Sequence, residues 1–91
     1  MDEEKVRILV IEDEKPIAKI LEYDLKKEGY EVRLAHTGAD GMREVDAFEP
    51  HLILLDWMLP DLSGADILKI LAERYDMPVI MLTARGNIDD K

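Results

Sequence analysis

Apolar residues in this chain fall into four short runs separated by stretches of helical period. The first run, VRILVI at 6–11, is rich in β-branched residues and apolar at both parities. That is the pattern of a strand buried on both faces. Pro16 then suits the first turn of a helix, and Ile17, Ile20, Leu21 and Leu25 keep its spacing. Gly29 is placed to close that helix at C′. YEVRLA at 30–35 alternates and predicts an edge strand. Residues 38–48 predict a helix on Met42, Val45 and Phe48, ended by Pro50. HLILL at 51–55 predicts a third strand. Residues 64–74 predict a helix on Ile67, Ile70 and Leu71, with Ser63 as N-cap. PVIMLT at 78–83 predicts a fourth strand.

The order βαβαβαβ implies crossover connections and a parallel sheet in an α/β fold. In open sheets of this kind, ligands bind beyond the carboxyl ends of the strands, at a topological switch point. Chemistry is therefore expected at one edge, and the sequence supplies it there. The first strand runs into Glu12 and Asp13, the third into Asp56, and the fourth into Thr83. Asp56 follows the most apolar run in the chain, LILL, where a carboxylate is costly to desolvate without a partner. If the first and third strands are neighbours, they lie about 5 Å apart. Their acids then repel unless a cation or protons neutralise them. Oxygen donors without His or Cys suit a hard ion, Mg²⁺ before transition metals. A carboxylate beside such an ion is also a nucleophile toward phosphorus.

Composition narrows the classes. Ninety-one residues make one small domain, and the formal charge of -9 disfavours nucleic acid or an anionic membrane surface as direct partners. The chain has no cysteine, which excludes disulfides, zinc-thiolate sites and thiol catalysis. The acidic start MDEEKVRILVIEDE is neither a signal peptide nor a membrane span, so a cytoplasmic protein is expected.

ILVIEDE, LILLDWMLPDLSG and PVIMLTAR, in that order, resemble the receiver domain of two-component response regulators. DWMLP and TARGNIDDK are most similar to the OmpR/PhoB-like subfamily, in which a winged-helix DNA-binding domain follows the receiver. The resemblance spans residues 1–91 and implies a flavodoxin-like fold with strands in the order 2-1-3-4-5, of which 2-1-3-4 is present. It implies that Asp56 accepts a phosphoryl group from a histidine kinase. It implies Mg²⁺ held by Glu12, Asp13, Asp56 and the Met58 backbone carbonyl. Thr83 is then the switch hydroxyl, and the Ala84 N–H contacts the phosphoryl group. No enzyme is implied beyond Mg²⁺-assisted self-phosphorylation and hydrolysis of the acyl phosphate. The parent protein is expected to regulate transcription.

Two departures stand out. His51 replaces a frequent Asp and reads as a surface change. The sequence stops at Lys91, before the family's fifth strand with its Lys-Pro pair and before helix 5. Lys15 is the one lysine near the predicted site edge, and no motif gives it the missing role. The chain therefore reads as a single truncated receiver domain, an engineered fragment or a natural remnant. Its uncovered sheet face and fourth-strand edge are expected to drive self-association into a dimer or higher oligomer.

Taken singly, each feature has a plainer reading. Glu12 and Asp13 can serve the following helix electrostatically, and Thr83 can satisfy a strand end. Trp57 reads as a loop-anchoring aromatic, and Met58, Met77 and Met81 as packing. His36 and His51 read as structural or exposed, and Glu22, Asp24 and Glu28 as a solvated face. Two other function classes stay open. An aspartyl phosphohydrolase usually has a second acid two residues after the nucleophile, where this chain has Met58. A non-phosphorylated interaction module would need no acid trio.

Overall fold

The computed structural model describes residues 5–82. Its elements, in chain order, are β1 (Arg7–Ile11), α1 (Lys15–Lys27), β2 (Glu31–Ala35), α2 (Gly38–Phe48), β3 (Leu52–Asp56), α3 (Gly64–Arg74) and β4 (Val79–Leu82). All strands pair in parallel in the order β2-β1-β3-β4, the flavodoxin-like arrangement expected from the sequence.

Strand alternation divides the core in two. Leu9, Ile11, Ala35, Ile53 and Leu55 face Val45 and Phe48 of α2 and Ile67 and Leu71 of α3. Ile8, Val10, Val32 and Leu54 form the second cluster, against Leu21 and Leu25 of α1. On that second face α1 leaves the β4 side open: Ile80 is 51% exposed, and Leu52 and Leu82 are only half-buried.

The helices begin and end for local reasons. Pro16 sits in the first turn of α1. At its other end, Tyr30 N–H donates to the Leu25 carbonyl and Gly29 N–H to that of Lys26. This Schellman closure requires the left-handed φ of +100° that Gly29 adopts. Thr37 and Ser63 cap α2 and α3 by accepting the N–H groups of Asp40 and Asp66, both at 3.1 Å.

Three side chains depart from the sequence reading. Ile20 is 61% exposed. The inward face of α1 is instead made by Ala18, fully buried, with Ile17, Leu21 and Leu25 beside it. At about 100° per residue, Ile17, Leu21, Leu25 and Ala18 fall within one arc of the helix, and Ile20 lies outside it. Trp57 and Met58 are 48% and 64% exposed, so neither side chain anchors the loop after β3. Met77 and Met81 do pack against the core.

Candidate functional site

β1 runs between β2 and β3, and the chain leaves it in one direction to β2 and in the other to β3 and β4. The switch point therefore lies at the carboxyl ends of β1 and β3. In register, Ile11 pairs with Leu55, so the next residues are Glu12 and Asp56. Alternation puts Glu12 in line with Ile8 and Val10, and Asp56 in line with Leu52 and Leu54, so both acids leave the sheet on the same side. They are 2% and 3% exposed and are the two buried polar residues among those described.

Asp13 completes the cluster. One carboxylate oxygen from each of Glu12, Asp13 and Asp56 lies within 4.8 Å of the others. Among the described residues, few groups relieve this crowding. Glu12 Oε2 accepts the Glu14 N–H at 3.1 Å, and Asp56 Oδ1 accepts the Met58 N–H at 3.4 Å. The ion pairs among the described residues are Lys26–Glu22, Arg33–Glu44 and Arg43–Asp40, none at the site. Burial pushes the Glu12 carboxyl up to about 7 from its usual 4.5; the Glu14 N–H opposes the shift, and the nearby Asp56 reinforces it. Three crowded acids, two of them buried, make a donor set of hard oxygens with excess negative charge, and it fits a divalent cation.

The loop after β3 is folded tightly against Asp56. Gly64 N–H donates to the Trp57 carbonyl at 2.8 Å, and Met58 and Ser63 form an isolated antiparallel bridge. A Cβ on Gly64 would lie 2.6 Å from the Asp56 carbonyl oxygen and 2.8 Å from the Trp57 Cα, so only glycine lets the two backbones meet.

The sequence placed Glu12, Asp13 and Asp56 at one edge, and the structure brings them together. Met58 lies in the same loop; Thr83 and Ala84 fall outside the described residues. Three long-range contacts were not anticipated, two of them beside the site. The His36 ring holds the Glu12 backbone carbonyl through Nδ1 at 3.0 Å. Asp61 accepts the N–H groups of Gly38 and Ala39 at 2.7 and 3.0 Å, which holds its carboxyl below the usual carboxylate range. His51, away from the site, is exposed but not idle: its Nδ1 accepts the Arg7 N–H at 2.9 Å.

Residues 8–91 match the response regulator receiver domain family. The chain belongs to that family. The receiver fold recurs in solved structures at similar identity. The signal receiver domain of a putative Luxo repressor protein from Vibrio parahaemolyticus is 32% identical, with a TM-score of 0.85 over 93% of this chain and 66% of that one. A CheY-like receiver domain protein from Methanospirillum hungatei is also 32% identical, with a TM-score of 0.84, covering 93% of this chain and 69% of that one. The response regulator TrrA from Thermotoga maritima, in complex with Mg²⁺–BeF, is 33% identical, with a TM-score of 0.81, covering 89% and 71%. The receiver described here thus spans about two-thirds of the length of these chains. Receiver domains are in general phosphoacceptors rather than enzymes. No helix among the described residues is long and apolar enough to cross a membrane.

Proposed function

We propose that this receiver takes a phosphoryl group on Asp56 from a histidine kinase, with Mg²⁺ held by Glu12, Asp13, Asp56 and the Met58 carbonyl. The observation that carries the reading is the buried Glu12–Asp56 pair, closed by Asp13, at the switch point of the sheet. The Mg²⁺–BeF complex of the Thermotoga relative supports the same metal here.

In the reaction, an Asp56 oxygen bonds to phosphorus as the phosphorus–nitrogen bond to the kinase histidine breaks. The electron pair stays on the imidazole nitrogen, which takes up a proton. The product is an acyl phosphate. Bound Mg²⁺ supplies positive charge for the phosphoryl oxygens. The Met58 N–H at Asp56 Oδ1 orients the carboxylate, and LILL behind it shields that side from water. Thr83 and Ala84 are assigned the switch hydroxyl and an N–H contact to the phosphoryl group by resemblance to the family.

The fuller reading is a cytoplasmic transcriptional regulator of the OmpR/PhoB-like subfamily, supported by DWMLP and TARGNIDDK. The chain is one receiver domain that self-associates through the open face beside β4.

Incubation with Mg²⁺ and acetyl phosphate, followed by mass measurement, tests the reading. A stable gain of one phosphoryl group, lost in Asp56→Asn, supports it. Catalytic turnover of the donor favours a phosphohydrolase. A chain that binds Mg²⁺ but never gains mass favours an interaction module.

A further inference from the structure

The segment from the end of β2 to the start of α2 touches both loops that carry the acids. At one end, Glu12 N–H donates to the Ala35 carbonyl at 2.9 Å, and the His36 ring returns a bond to the Glu12 carbonyl. A carbonyl only accepts, so His36 Nδ1 carries the hydrogen. At the other end, Asp61 grips Gly38 and Ala39 by both carboxylate oxygens, and Leu62 packs directly on Gly38. Asp61 and Leu62 belong to the loop that begins at Trp57 and Met58 and is closed by the Gly64–Trp57 bond. Residues 36–39 thus join Glu12 on one side to the Met58 loop on the other.

We propose that His36 and Asp61 are positioning residues for the metal centre, the two ends of a strut that fixes the spacing between Glu12 and the Met58 carbonyl. The inference rests on the metal-site reading above and adds residues that touch no metal. Oxygen ligands bind a small hard cation well only when their spacing is held, because Mg²⁺ demands near-ideal geometry. His36 fixes the backbone from which the Glu12 side chain departs. Asp61 fixes the loop whose carbonyl completes the set. Because the two act through one segment, breaking either end releases the spacing.

The test is a Mg²⁺ titration read by Trp57 fluorescence, with thermal melts of the same samples. His36→Ala and Asp61→Ala should each weaken Mg²⁺ binding about tenfold, the lower end for groups that hold metal ligands in place. The double variant should bind no worse than the weaker single one. His36→Asn should restore affinity, because its amide N–H sits where Nδ1–H did. Asp61→Asn, which keeps one acceptor oxygen, should fall between wild type and Asp61→Ala and stands in if the alanine variant does not fold. Lower melting temperatures with unchanged Mg²⁺ affinity would make both residues merely structural and overturn the proposal. So would losses that multiply in the double variant. If wild type and Asp13→Ala respond alike to Mg²⁺, the metal-site reading itself falls, and this inference with it.

Discussion

Glu12 and Asp56 stand opposite each other across the β1–β3 pair, one residue past Ile11 and Leu55, with both carboxyls out of solvent. Two acids in that relation store electrostatic repulsion that three agents can relieve: a proton, a cation or a neutral substitution.

The proton sets a pH dependence. Glu12 titrates near 7 in the folded chain and near 4.5 when unfolded. The folded state therefore keeps a proton that the unfolded chain releases. The stability this confers is fully present below 4.5 and is lost as pH rises through 7. Without divalent ions, the wild-type melting temperature should fall across that window more than that of Glu12→Gln. Saturating Mg²⁺ should shrink the difference. Parallel curves for the two proteins would remove Glu12 as the source.

Gly64→Ala should destabilise the chain by about 2 kcal/mol or more, toward the upper end of what overpacking a filled site costs. The added methyl would meet backbone atoms of Asp56 and Trp57, which cannot swing aside as a side chain can. Because the displaced backbone carries Asp56, one of the three clustered acids, Mg²⁺ affinity should fall too. Urea denaturation and the fluorescence titration report the two effects separately, and an alanine variant as stable as wild type would refute the close approach.

The open face beside β4 should hold copies of the chain together. Ile80→Lys places a charge at the centre of that face, where burial against a second copy would leave it unpaired. Light scattering should show wild type growing in mass from micromolar to millimolar concentration and Ile80→Lys staying monomeric. Identical monomeric behaviour of both would end the idea.

The sequence disclosed most of the fold and the acids of the site, because both are written in local pattern. Apolar runs at strand length marked β1 and β3, and an acid directly after each run marked Glu12 and Asp56. What it concealed depends on distant backbone. The acceptor of His36 is 24 residues away, and the partner of His51 is 44 away. Asp61 reaches Gly38 across 23 residues. A side chain bound to a remote N–H or C=O needs no particular residue type there, so no spacing betrays it. Ile20 departs for a different reason: helical period identifies a stripe, but the buried arc is centred on Ile17, Leu21, Leu25 and the inconspicuous Ala18, which leaves Ile20 outside it.

The strand order also dictates when the acids meet. Leu9 pairs with both Arg33 and Ile53, and the second pairing spans far more chain than the first. Closing that longer loop carries the larger entropic cost, so the β1–β3 contact is the harder one to nucleate. Glu12 and Asp56 are brought together only by this contact, so their repulsion is felt only once it has formed. A cation that relieves it acts on a contact absent from early states. Its kinetic signature is a slower unfolding limb with refolding nearly unchanged. Metal would then act as a latch on the finished sheet, setting how long the receiver stays folded more than how fast it forms.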